Sequence, residues 1–92
     1  MITEEILKNN EGTIVDVRTP GEFRGGSVSG AVNVPLNEIP LRLEELKEMK
    51  SPLILCCASG RRSGIAKKFL IKKGFPEVYN GGGWMRLQNN IR

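Results

Sequence analysis

Leu53–Lys73 reads LILCCASGRRSGIAKKFLIKK, and both the fold and the chemistry of the chain turn on it. Leu53-Ile54-Leu55-Cys56 is an apolar run without alternation, the pattern of a strand covered on both faces, as in a parallel sheet. Cys57-Ala58-Ser59-Gly60-Arg61-Arg62 follows as a compact loop. From Ser63 onward the spacing predicts a helix. Ile65, Ala66, Phe69 and Leu70 share one face, and Lys67, Lys68, Lys72 and Lys73 turn mostly away from it. Gly74 stands where a helix stop is expected.

A cysteine therefore sits where a buried strand gives way to a helix N-terminus. The first turn of a helix has N–H groups without partners, and the helix dipole adds partial positive charge. Such an end attracts anions and lowers the pKa of a nearby thiol, favouring the nucleophilic thiolate. Arg61 and Arg62 add two fixed positive charges. Cys57 is thus a candidate nucleophile for an anionic substrate or leaving group.

Upstream, Met1–Asn9 reads as a short helix with Thr3 as N-cap, and Asn10-Glu11-Gly12 as a turn. Thr13–Val17, TIVDV, is a β-branched buried strand in which Asp16 needs hydrogen-bond donors, and Arg18 follows at once. Thr19-Pro20-Gly21-Glu22-Phe23 reads as a cap, a proline in first helical position and one helical turn. Gly25–Gly30 is a glycine-rich loop without the Lys-Ser/Thr ending or preceding strand of a phosphate-binding loop. Ala31–Val34 is a second strand, ended by Pro35, and 38–49 a helix with Leu43, Leu46 and Met49 on one stripe. Lys50-Ser51-Pro52 turns into the central strand. Downstream, Gly74-Phe75-Pro76 turns the chain into a last strand, Glu77-Val78-Tyr79. Gly81-Gly82-Gly83 implies a close backbone approach or an unusual turn, and Trp84 and Leu87 pack down the end. The order βαβαβαβ with short links predicts a single α/β domain over residues 1–92 with a parallel sheet. Ligands of such sheets bind beyond the carboxyl ends of the strands, where Asp16, Arg18 and Cys57 all fall.

Composition removes several classes of function. Ninety-two residues with 39% apolar content make one small folded domain. The net charge of +4 is mild, and aromatics are few, which argues against nucleic-acid binding. Cys56 and Cys57 are adjacent, with Cα atoms only about 3.8 Å apart, too close for an ordinary disulfide. That fits a reducing compartment. Histidine is absent, which excludes Ser-His and Cys-His catalysis, and two cysteines cannot complete a four-ligand metal site. MITEEILKNN is no signal peptide, and no apolar run has membrane-spanning length. The expected setting is the cytoplasm, with no membrane.

Four pieces, in order, are similar to the signatures of one family. They are Val15-Asp16-Val17-Arg18 with Glu22-Phe23; Gly26 through Gly30-Ala31-Val32-Asn33-Val34-Pro35; Cys57-Ala58-Ser59-Gly60-Arg61-Arg62-Ser63, against a usual C-x-S-G-x-R-S; and Gly74-Phe75 through Val78-Tyr79 with Gly82-Gly83 and Trp84. From about residue 2 to residue 86 the chain resembles the single-domain rhodanese-like sulfurtransferases. Ser27, Val28 and Ser29 stand where the family usually has histidine, isoleucine and proline, and the triple glycine is shorter than the common ending. Both departures bear on acceptor specificity rather than on the fold.

The resemblance implies a rhodanese-like α/β fold, a small, mostly parallel central sheet flanked by helices on both faces. It implies a Cys57 persulfide loaded from thiosulfate or a persulfide and unloaded to cyanide, a small thiol or a protein thiol, with no metal or organic cofactor. Backbone N–H groups of Ala58, Ser59, Gly60, Arg61, Arg62 and Ser63 would surround the sulfur, and Arg61 and Arg62 would hold the sulfonate end of thiosulfate. Ser59 and Ser63 also suit helix capping. Asp16 and Arg18 read as supports that hold the loops by buried hydrogen bonds, and Trp84 as core or pocket rim. Two other functions remain open. Counted from Cys56, the loop is C-x5-R followed by serine, the pattern of phosphatases and arsenate reductases, some on a rhodanese-like fold. Rhodanese-like domains also serve as non-catalytic binding modules, although those usually lack the cysteine.

Overall fold

The computed structural model describes residues 12–91. The helix expected over Met1–Asn9 lies outside them. Four strands form one sheet: β1 (Thr13–Asp16), β2 (Val32–Asn33), β3 (Leu53–Cys57) and β4 (Val78–Gly83). Their order is β2-β1-β3-β4, and every pairing is parallel. The helical segments are α1 (Pro20–Arg24), a 3-10 helix (Leu36–Leu41), α2 (Leu43–Glu48), α3 (Arg61–Lys72) and α4 (Trp84–Asn90).

β3 is the middle of the molecule, and all five of its residues are buried. Alternation along it divides the core in two. Leu53, Leu55 and Cys57 join Val15 and Val17 against Ile39, Leu46, Ala66 and Leu70, which come from the 3-10 helix, α2 and α3. Ile54 and Cys56 face the other way, with Val28 from the glycine-rich loop and Leu87 from α4. The sheet is therefore covered on both faces, as the unbroken apolar run of β3 requires. The two adjacent cysteines belong to opposite faces.

Several boundaries differ from the sequence expectation. The single helix expected over 38–49 is a 3-10 helix followed by α2. Pro40 has no N–H to give to a helical ladder, and Arg42, at φ −123°, breaks the run. Arg42 still ties the pieces together by pairing with Glu38 at 3.0 Å and Glu45 at 2.9 Å. Of the expected stripe only Leu46 is fully buried, with Leu43 and Met49 packed at its margin. α3 starts at Arg61 rather than Ser63, and its buried residues are Ser63, Ala66 and Leu70. Ile65, expected on the buried face, is 54% exposed. β2 holds two residues instead of four.

The last strand runs on through the glycines to Gly83 instead of ending at Tyr79. Its register slips between Leu55 and Cys56, where Leu55 pairs Asn80 and Cys56 pairs Gly82, a bulge that skips Gly81. The close approach anticipated for these glycines is real. A Cβ on Gly83 would lie 2.8 Å from the Ala58 carbonyl oxygen.

Leu55, fully buried in the central strand, measures this core. Leu55→Ala is expected to lower unfolding stability by about 2–5 kcal/mol. Urea titration should show a lower midpoint with an unchanged slope.

Candidate active site

Because all four strands are parallel, their carboxyl ends share one edge of the sheet. β1 delivers Asp16 there and β3 delivers Cys57. The chain must then turn sharply from β3 into α3. Gly60, the residue before α3, takes φ +97°, a left-handed conformation that costs a residue with a Cβ about 1–2 kcal/mol. The turn brings the Gly60 N–H to 3.0 Å from Cys57 Sγ. The Ser63 N–H, in the first turn of α3, reaches the same sulfur at 3.4 Å, and the Ser63 hydroxyl lies 3.5 Å from it.

These contacts set the state of the thiol. Burial, the largest influence, pushes the Cys57 pKa up. The Ser63 hydroxyl and the backbone N–H groups of Ser63, Ser59 and Gly60 favour the anion and together outweigh it, so the net shift is downward. Cys56, one residue earlier, is pushed up to about 12, first by burial and then by the Asp16 carboxylate. Adjacent thiols on opposite faces of the sheet are thus driven in opposite directions.

Asn80, on β4, organises the donors, and sequence reasoning missed it. Its Nδ2 donates to the Gly60 carbonyl at 3.0 Å, while its Oδ1 accepts the Gly82 N–H at 3.0 Å and the Ser63 hydroxyl at 2.6 Å. The first two bonds fix which way the amide points, so Oδ1 can only accept. A hydroxyl has one proton. With Cys57 as a thiol, Ser63 gives that proton to Asn80 and can accept the S–H. With Cys57 as a thiolate, the hydroxyl can turn to the sulfur while Asn80 Oδ1 keeps the Gly82 N–H. The only sequence signal for Asn80 was a polar residue closing a strand just before a glycine run.

Asp16 and Arg18 form a buried pair beneath the site. The Arg18 guanidinium donates to both carboxylate oxygens, at 2.7–3.0 Å, and to the Gly26 carbonyl at 2.7 Å, and it lies 4.8 Å from the Trp84 ring centroid. Asn33 Nδ2 bonds the carbonyls of Asp16 and Arg18. This lattice joins β1, the glycine-rich loop, β2 and α4. Among the described residues no buried side-chain nitrogen or oxygen lacks a partner.

The two loop arginines differ. Arg62 is held by both carboxylate oxygens of Glu22, at 2.8 and 3.0 Å. Glu22, also the acidic member of a capping box with Thr19, is held down to about 2, first by Arg62 and then by the Thr19 N–H. Arg61 is exposed and makes no ion pair among the described residues. Ala58 and Ser59 are exposed loop residues. Neither Ser59 nor Ser63 caps α3, because Gly60 occupies the N-cap without a side-chain bond. No group of three His, Cys, Asp or Glu side chains able to hold a metal occurs among the described residues.

A family model described as a rhodanese-like domain matches residues 3–90. The chain is 37% identical over 94 residues to the uncharacterized protein YqhL of Bacillus subtilis, covering 99% of this chain and 74% of that one. It is 37% identical over 70 residues to the thiosulfate sulfurtransferase PspE of Escherichia coli, covering 75% of this chain and 67% of that one. The crystal structure of a rhodanese-like domain protein from Staphylococcus aureus superposes with a TM-score of 0.77 at 31% identity, covering 95% of this chain and 88% of that one.

The thiol environment can be read by alkylation with iodoacetamide across pH. Only the thiolate reacts, so the rate should rise with pH and level off, with its midpoint below the free-cysteine value of about 8.5. Ser63→Ala removes a donor to the anion. Asn80→Asp places a negative charge nearby and keeps the hydroxyl turned away from the sulfur. Both substitutions should move the midpoint to higher pH.

Proposed function

This chain belongs to the rhodanese-like family, and from that premise we propose that it is a sulfurtransferase that carries sulfane sulfur on Cys57. The observation behind this reading is the set of N–H groups and one hydroxyl directed at Cys57 Sγ, while burial pushes the neighbouring Cys56 thiol on β3 up to about 12. Relatives named as sulfurtransferases support the reaction class.

In the proposed cycle the Cys57 thiolate attacks the outer sulfur of thiosulfate. The S–S bond of thiosulfate breaks, its electron pair leaves with sulfite, and a Cys57 persulfide remains. With a persulfide donor, a thiolate leaves instead. Cyanide or a thiolate then attacks the outer sulfur, and the Cys57 thiolate is restored. No net oxidation occurs and no cofactor is required. The N–H groups of Gly60 and Ser63 stabilise the sulfur anion at both ends of the cycle, as an oxyanion hole does. Arg61, having no carboxylate partner among the described residues, is the better candidate for the sulfonate, whereas Arg62 must release Glu22 to take part. Asp16 and Arg18 act as supports.

A phosphatase or arsenate reductase starting from Cys56 would need that thiol ionised. Its pKa of about 12 and its place in the opposite core cluster speak against this. Two free cysteines suit the reducing cytoplasm, which we take as the working compartment. No helix among the described residues is long and apolar enough to cross a membrane.

Intact mass after incubation with thiosulfate tests the proposal. One sulfur, about 32 Da, should be gained by the wild type and by Cys56→Ser and lost in Cys57→Ser. A sulfur that follows Cys56 would overturn the loop register. No gain with either thiosulfate or a small persulfide donor would leave the binding-module or phosphatase reading in its place.

A further inference from the structure

The positive charge of this protein is concentrated on one helix. The chain has 14 basic and 10 acidic side chains. Arg61, Arg62, Lys67, Lys68, Lys72 and Lys73 fall in or directly after α3 with no acid among them, which leaves eight basic against ten acidic elsewhere. Among the described residues, Arg62 alone of the six has a carboxylate partner. Helix stability accounts for only part of this arrangement. Lys72 and Lys73 at the C-terminal end complement the dipole, but Arg61 and Arg62 at the N-terminus oppose it, and Lys68 and Lys72, four residues apart, repel each other.

Four exposed side chains, Arg61, Ile65, Lys68 and Lys72, are spaced by four, three and four residues and so form one stripe along α3. The stripe begins at the residue after Gly60, whose N–H contacts Cys57 Sγ. At 1.5 Å per residue it runs about 16 Å from Arg61 to Lys72. Alongside lies an apolar groove of about 220 Å³, lined by Leu36, Ile39, Pro40, Ile65, Ala66 and Phe69. Leu41, 82% exposed, closes the 3-10 helix that forms the far wall.

We propose that this stripe and groove dock an acidic protein that presents a cysteine to Cys57, which makes a protein thiol the physiological sulfur acceptor. The inference rests on the sulfurtransferase reading and specifies its acceptor. A small thiol spans only the loop, whereas the cationic stripe continues well past it. Complementary charge would steer the partner, and an apolar side chain in the groove would fix its register. Cys57 is 1% exposed, so an acceptor held in one orientation gains more than one that collides at random. In the transfer, the partner thiolate attacks the outer, protonated sulfur of the Cys57 persulfide. That S–S bond breaks, a new one forms to the partner's sulfur, and Cys57 departs as the thiolate.

Two cysteine-containing peptides of equal length can test this, one with glutamates and a leucine around the cysteine, the other with lysines replacing the glutamates. Cys57 is first loaded with thiosulfate and the added mass verified, which tests the sulfurtransferase reading by itself. Single-turnover transfer is then followed by mass. The acidic peptide should be at least about tenfold faster at low ionic strength, with the advantage vanishing at high salt. Lys68→Glu with Lys72→Glu should abolish or invert the preference while leaving thiosulfate loading and cyanide unloading unchanged. Equal rates for the two peptides, or a preference that survives the double substitution, would overturn the proposal. Displacement of the acidic peptide by a single-stranded oligonucleotide of equal charge at tenfold lower concentration would assign the face to nucleic acid and equally overturn it.

Discussion

A sulfur anion at the buried end of a strand is tolerable only where donors converge on it, and the active edge of this sheet is arranged to supply them. β3 ends inside the core, Gly60 reverses the chain, and α3 begins with its free N–H groups directed back at Cys57. None of this holds without β4. The bulge that skips Gly81 brings Asn80 beneath the loop, where one amide grips the Gly60 carbonyl, the Gly82 N–H and the Ser63 hydroxyl. Gly83 in turn lets the Ala58 carbonyl approach more closely than any side chain would permit. The thiol is tuned by backbone geometry more than by neighbouring formal charge.

The formal charges nearby serve mainly to position. Asp16 and Arg18 are both buried, and such a pair contributes little net stability once desolvation is counted. Its bonds to the Gly26 carbonyl and its stacking on Trp84 nonetheless join three separate segments at one point. Glu22 and Arg62 link α1 to α3 across the surface in the same way. Arg61, Lys68 and Lys72 make no ion pair among the described residues and share one exposed face.

The sheet, its parallel sense, the burial of β3 and the helix-start position of Cys57 were legible because each depends on short-range pattern. An unbroken apolar run, a glycine turn and a 3.6-residue period are local facts. The break at Arg42 was less so, since a proline inside an apparent helical stripe is compatible with more than one kind of turn. Ile65 looked like core because it shares a face with Ala66 and Phe69 on a helical wheel. In the structure it is 54% exposed and lines the open groove between α3 and the 3-10 helix. Asn80 and Glu22 were out of reach for a different reason. Their importance arises from partners 17–20 and 40 residues away in the chain, brought close only by the sheet order.

The pleat that sends Cys56 and Cys57 to opposite faces has a redox consequence. A cysteine oxidised to sulfenic acid is normally rescued when a second, resolving thiol condenses with it. This chain has two cysteines in total, and the second lies behind the backbone of β3, protonated and in a separate core cluster. An oxidised Cys57 therefore has no internal partner and depends on an outside thiol to reduce it. On the proposed reading, the same separation would keep a sulfur carried on Cys57 from passing to Cys56.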